Sequence, residues 1–282
     1  METLLMNHAL IKYITNNHYR KLNKHIKEVC EYFDVEAIHQ FRVEYKKLRA
    51  FLRMISQELE TTKKIGIYKK LKKAYNISGS IRDLQLQQQR IMQATKQELK
   101  NPQAYLALLR IKIDKLIQEL TEISLENPVI KSKKKTEAFI PDEFQLSGFK
   151  LLIQKKWTVI NAIITSGHYS DDNIHAIRKN LKDLFYNLKE YEVGKHNILS
   201  CSIWKGKDEQ YFNKLLDELG NLQDKCTAIA LLKSSWINRL NTYNRELLGR
   251  IKKVWIKDKV NLKRLMVKKL KADIVPQQVS AQ

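Results

Sequence analysis

Ile38-His39-Gln40-Phe41-Arg42-Val43-Glu44-Tyr45-Lys46-Lys47-Leu48-Arg49-Ala50-Phe51-Leu52-Arg53-Met54-Ile55 decides how this chain is read. Two stripes run through it at the 3–4 spacing of a helix seam. One is apolar: Ile38, Phe41, Tyr45, Leu48, Leu52 and Ile55. The other lies one residue later: His39, Arg42, Lys46, Arg49 and Arg53, every member a cation or an imidazole. One residue is about 100° of helical turn, so a single helix buries the first stripe and presents the second beside it. A line of like charges is unfavourable unless an anion lies along it.

The device recurs. Ile174, Ile177, Leu181, Leu184 and Leu188 form a second apolar seam, followed one residue later by His175, Arg178, Lys182, Phe185 and Lys189. The order His, Arg, Lys returns 136 residues downstream. A second pair of landmarks, Gly79-Ser80-Ile81-Arg82-Asp83 and Gly220-Asn221-Leu222-Gln223-Asp224, is offset by 141. The difference of five fits a longer loop around Gly194–Gly206. Two ordered landmarks at nearly one offset indicate an internal repeat of two homologous halves. Each landmark glycine falls inside an expected helix, where it costs about 1 kcal/mol relative to alanine. That cost fits a close approach by another helix, or a helix break.

The 282 residues suffice for one large domain or two ordinary ones, and 43% hydrophobic content is that of a globular protein. The formal charge of +22 points to an anionic partner: nucleic acid, a polyphosphate or an acidic membrane surface. Cys30, Cys201 and Cys226 are far apart and odd in number, which reads as buried free thiols in a reducing compartment. The first 21 residues lack a secretory pattern and no run of 18 apolar residues occurs, so no membrane span is expected and cytoplasm is the default location.

Eight glycines and four prolines suit long helices. Helices are expected over about Thr3–Glu31, Val35–Leu59, Thr61–Leu99 and Pro102–Glu126. Four more are expected over about Glu143–Ser166, Asp171–Glu192, Lys207–Asn241 and Arg245–Lys271. The first half is thus 1–126 and the second 143–272. Residues 127–142, with Pro128, Pro141 and Lys133-Lys134-Lys135, read as a linker, Ser170-Asp171-Asp172 as an N-cap, and 273–282 as a flexible tail.

His39-x-x-Arg42-Val43-x-x-Lys46-x-x-Arg49, His175-x-x-Arg178-x-x-x-Lys182, Gly79-x-x-Arg82-Asp83 and Leu219-Gly220-x-x-x-Asp224 closely resemble the motifs of the CHAD family, the conserved histidine α-helical domain. The resemblance covers nearly the whole chain. It implies an all-α fold of two four-helix bundles related by pseudo-twofold symmetry around a basic central channel that binds inorganic polyphosphate. Association with polyphosphate granules would follow. Phe185 stands where the family usually has arginine, and Gln223 where the first half has Arg82; both lower the charge of the second half.

The residues themselves point the same way. Polyphosphate is a flexible anionic polymer without bases, and its recognition needs cations at regular intervals. Candidate contacts are His39, Arg42, Lys46, Arg49, Arg53 and Arg82, with His175, Arg178, Lys182 and Lys189 in the second half. Lys73 and Lys214 align at the 141 offset, and Lys69 is a further candidate. A metal at His39 or His175 is disfavoured by flanking Arg and Lys, which repel a cation at short range. No cofactor is expected. Catalysis is not expected either: glycine phosphate loops, serine elbows and HExxH are absent, and Asp83 and Asp224 are better suited to holding a neighbouring cation. Nucleic acid is the main competing partner, although its usual signatures are missing and the ladders carry no interleaved exposed aromatic except Phe185. A scaffold docking on acidic proteins is a third class.

Overall fold

The computed structural model describes residues 4–59, 65–96, 98, 102–192 and 209–273. The expected loop around Gly194–Gly206, Cys201 and the tail beyond Asp273 lie outside the described residues. The fold is all-α, with one two-stranded exception. In order come β1 (Leu4–Asn7), α1 (His8–Tyr32), α2 (Val35–Ile55), α3 (Lys69–Ala94), α4 (Gln103–Leu125), α5 (Pro128–Glu137), β2 (Glu143–Gln145), α6 (Leu146–Ser166), α7 (Asp171–Glu192), α8 (Glu209–Leu231), α9 (Ser234–Ile237) and α10 (Thr242–Asp273). The chain divides into two compact units, Met1–Phe149 with Ser234–Leu248, and Lys150–Lys233 with Gly249–Gln282.

In the first unit α1 packs on α2, α2 on α3 and α3 on α4. Both stripes of the opening stretch behave as their period requires. Ile38, Phe41, Tyr45, Leu48, Leu52 and Ile55 are each at most 2% exposed, while the cationic positions stay partly in solvent. Only two residues separate α1 from α2. Phe33 takes a left-handed conformation (φ 49°) to close α1, and Asp34 caps α2 by accepting from the amides of Glu36 and Ala37. A second tie is fully internal: His18 Nδ1 lies 2.6 Å from Glu44 Oε1, both side chains buried. Burial is the largest single influence and pushes the Glu44 carboxyl up, but the hydrogen bond to His18 and the charges of His18, Lys21 and Lys47 together hold the group below its usual range.

Three features depart from the expected helices. Residues 4–7 and 143–145 pair as antiparallel strands, so α1 begins at His8, capped by Asn7, and α6 at Leu146. The expected linker holds helix α5, opened by Pro128 in its first turn. Its Val129, Ser132 and Thr136 are buried at helical spacing, and both hydroxyls bond to Tyr19 Oη, at 3.0 and 2.6 Å. The expected helix 207–241 stops at Leu231 and resumes only as the short α9.

In the second unit α7 packs on α8 through the second seam, Ile174, Ile177, Leu181, Leu184 and Leu188, none above 4% exposed. Ser170 caps α7 as expected, its Oγ accepting from Asn173 N at 3.0 Å. Asp171, in the first turn of α7, takes Lys259 and Lys263 of α10 at 2.8 and 2.7 Å. Those two hydrogen bonds, Lys259 first, pull its carboxyl down to about 2. Lys156 of α6 pairs with the buried Asp183 of α7 at 2.8 Å. Cys30 and Cys226 are free thiols, half-buried rather than fully buried.

Candidate functional site

On α2 the ladder is graded. His39, Arg42, Lys46 and Arg49 are half-buried, and Arg53 is exposed. Arg42 turns toward α3. Its Nη1 donates to the carbonyl oxygen of Tyr75 at 2.5 Å, and its Cζ lies 4.4 Å from the centre of the Tyr75 ring. Tyr75 in turn stacks on Tyr45, with ring centres 4.1 Å apart and planes inclined by 18°. A guanidinium and a second ring cannot share one face at these distances, so Arg42 and Tyr45 sandwich Tyr75. Arg49 Cζ is 5.9 Å from the Tyr75 centre and 6.0 Å from that of Tyr45. Being equidistant from two stacked rings, it sits level with the gap between them, at the edge of the pair. The ring quadrupole attracts a cation at its face and not at its edge, so the rings place Arg49 rather than bind it.

Arg82 reaches the same place from α3. Burial pulls the Arg42 guanidinium below its ordinary range; Tyr75 and Asp83 oppose that, while Arg82 and Arg49 add to it. Arg82 and Arg49 therefore both repel Arg42 here, with Asp83 as the nearby carboxylate. The Nε atoms of Arg49 and Arg82 are buried and find no hydrogen-bond acceptor among the described residues. Tyr45, buried and neutral, has its phenol pushed up to about 12 by that burial.

On α7, His175, Arg178 and Lys182 are half-buried and Lys189 is exposed. Arg178 Nε donates to the carbonyl oxygen of Leu216 on α8 at 3.2 Å. Lys182 lies over the Tyr186 ring at 5.4 Å. Lys189 is held by Glu209 at 2.5 Å and covers Phe185 at 4.8 Å, so this end of the second ladder is partly neutralised.

The landmark glycines now have a physical account. Tyr75 precedes Gly79 by four residues, and Leu216 precedes Gly220 by four. In both units the ladder arginine reaches across to the carbonyl one helical turn before the glycine. A Cβ on Gly79 would stand 2.6 Å from Arg42 Cζ, and one on Gly220 would stand 2.9 Å from Arg178 Nη2. Each glycine is the opening through which a guanidinium meets the neighbouring helix. The approach is by a side chain, not a second helix backbone.

The remaining candidates are more peripheral. Lys69 and Lys214 are exposed, and Lys73 is turned to α4, where it pairs with Glu119 at 2.7 Å. The residue that the sequence reading misses is Tyr75, which belongs to neither ladder; its signal is its position one turn before Gly79. Among the described residues no three of His, Cys, Asp and Glu come together to hold a metal ion. No described helix is long and apolar enough to cross a membrane.

Known structures share this fold. PptA from Streptomyces chartreusis is similar in structure, with a TM-score of 0.65 at 12% identity, over 94% of this chain and 98% of that one. The CHAD domain from the plant Ricinus communis gives a TM-score of 0.61 at 16% identity, over 95% of this chain and 93% of that one. No curated protein matches in sequence. The family model of the CHAD domain matches residues 14–233, a span that contains both ladders and both landmark glycines, and the chain belongs to the CHAD family.

Proposed function

We propose that this protein binds inorganic polyphosphate along the cationic faces of α2 and α7 and leaves the polymer intact. The observation that carries the reading is the cluster of Arg42, Arg49 and Arg82. Three guanidinium groups are brought together, and the buried Nε atoms of two of them have no acceptor among the described residues. Unused donors and mutual repulsion are costly in the free protein. An anion with many oxygens relieves both at once, so the free protein is preorganised for it. Regular spacing along a helix suits a repeating phosphate chain better than a single small anion. Family membership supports the same ligand class.

Two observations favour polyphosphate over nucleic acid. Tyr45 is buried, and Tyr75 is sandwiched between Tyr45 and Arg42, so neither ring is open to a base. Phe185 is covered by Lys189. The cluster also contains no nucleophile paired with a base, and binding without hydrolysis is the expected behaviour. The test is a competition at physiological salt among long-chain polyphosphate, single-stranded DNA and RNA at equal phosphate concentration. Polyphosphate should bind most tightly, and gel analysis should show its length unchanged after prolonged incubation. Clear preference for nucleic acid, or shortening of the polymer, contradicts the proposal.

A further inference from the structure

α10 divides its cations into two sets. Those on the side turned to the rest of the second unit are satisfied there. Lys259 and Lys263 pair with Asp171, Lys269 with Glu218, and Lys252 donates to the carbonyl of Leu232. Those on the opposite side are not. Lys253, Lys257, Arg264 and Lys268 are exposed and have no ion pair or hydrogen bond with any described residue. Arg250 and Lys271 flank the row and already have contacts of their own, Lys271 over the Tyr169 ring at 5.5 Å. From 253 to 268 the unpaired row covers about 22 Å at 1.5 Å per residue.

The same outward side carries apolar residues that the core does not use. Val254, Val260 and Leu265 are 57%, 56% and 60% exposed. On a helical wheel these three and the four cations fall within about 140° of arc. Leu248, Ile251, Trp255, Met266 and Leu270 occupy the buried side. Between residues 250 and 271 the acid nearest this arc is Asp258, and it is taken by Lys225 of α8 at 3.3 Å.

The geometry points to a second binding surface, distinct from the ladder on α7: the outward side of α10 docks on an anionic lipid bilayer. A phosphate polymer would use the cations and gain nothing from Val254, Val260 and Leu265. Between residues 250 and 271 no aromatic in the arc is open to stack on a base, since Trp255 is on the buried side. A flat acidic membrane surface uses both kinds of residue, the cations at the headgroups and the apolar side chains at the headgroup–acyl boundary. The inference goes beyond polyphosphate binding and does not depend on it.

The test is co-flotation of the full chain with phosphatidylcholine vesicles, with and without phosphatidylserine. The wild type should float only with the acidic vesicles. Lys257→Ala/Arg264→Ala/Lys268→Ala should weaken that association at least tenfold, each cation near an acidic surface being worth up to about a factor of five. Lys133→Ala/Lys134→Ala/Lys135→Ala removes the same formal charge from α5 and should change it less than about threefold. Val254→Ser/Leu265→Ser, which keeps every charge, should also weaken it several-fold. All substituted side chains except Lys133 are exposed, and circular dichroism melts must first show that the variants are folded. The inference is overturned if the wild type ignores acidic vesicles, or if the two lysine-rich triple variants lose equally. It is also overturned if the serine variant binds like wild type, because the face would then serve a soluble polyanion.

Discussion

Alanine substituted for glycine inside an exposed helix ordinarily stabilises a protein by up to about 1 kcal/mol, through helix propensity alone. Four glycines of the described residues lie inside helices, Gly79, Gly148, Gly220 and Gly249, and the structure orders three of them. Gly249 in α10 has nothing within 4 Å of an added Cβ, so Gly249→Ala should give the full gain. At Gly79 the added Cβ would stand 2.6 Å from Arg42 Cζ, well inside contact distance. The guanidinium must leave, which breaks its hydrogen bond to Tyr75 O and its seat on the Tyr75 ring. A charged hydrogen bond is worth about 1.5–3 kcal/mol and a cation–π contact about 0.5–1. Rehydration of the released group and the propensity gain offset part of that. Gly79→Ala should therefore lose about 1–2 kcal/mol instead of gaining 1, and should weaken polyphosphate binding about tenfold. At Gly220 the nearest atom, Arg178 Nη2, is at 2.9 Å with the rest of the group at 3.5 Å, so a small shift suffices and the loss should be below about 1 kcal/mol. Urea denaturation of the three variants, with a polyphosphate titration of each, measures the series. A Gly79→Ala protein that is as stable as Gly249→Ala and binds normally would refute the role assigned to the glycine and the reach of Arg42.

Other outcomes follow from the same geometry. Tyr75→Leu should weaken polyphosphate binding about five- to tenfold through loss of the ring that seats Arg42 and spaces Arg49, Tyr75→Phe should restore it, and Tyr75→Leu should add little in an Arg42→Ala background; equal effects of the leucine in both backgrounds would mean simple loss of packing. The Asp171 carboxyl is held near 2 against an ordinary value of 3.8, so its stabilisation is complete above about pH 4 and is lost as pH falls through 2. Asp171→Asn should consequently cost about 1 kcal/mol at pH 7, since its pairs are partly exposed, and nothing near pH 2; thermal melts across that range check it, and a difference that grows toward acid would contradict the sign.

Much of this molecule is legible in the stretch 38–55. A 3–4 period of apolar residues beside a 3–4 period of cations already names one buried face and one basic face, because both depend only on local helix geometry. The N-caps Asp34 and Ser170 act over two or three residues, and the capping potential of Ser170 is visible for the same reason. What escapes is long-range. The strand pair 4–7 with 143–145 has three or four residues a side, and nothing local to either predicts its partner. α5 is hidden by its lysine run, whereas its Val129, Ser132 and Thr136 are buried by meeting Tyr19, 117 residues from Thr136. Within the ladder, spacing makes Arg42 and Arg49 equivalent. Only the glycine on the facing helix turns Arg42 inward as a brace and sets it apart from Arg49. The outward row on α10 escapes because its inner lysines interrupt the pattern, and only their partners Asp171 and Glu218 separate the two sets.

That division fixes the most direct measurement of the central claim. Arg49→Ala/Arg53→Ala removes two cations from the ladder without disturbing the Arg42 brace. Lys133→Ala/Lys134→Ala removes the same formal charge from α5. With both variants shown to be folded, polyphosphate affinity is measured against salt concentration. A direct charge-assisted contact contributes about 1.5–3 kcal/mol, whereas a distant exposed charge is screened beyond about 8 Å. The ladder variant should bind at least tenfold more weakly than the α5 variant, and its salt dependence should flatten by somewhat under one log unit per lost contact. Equal losses with equal slopes would show that the +22 charge acts as a diffuse field and that the ladder is not the binding site.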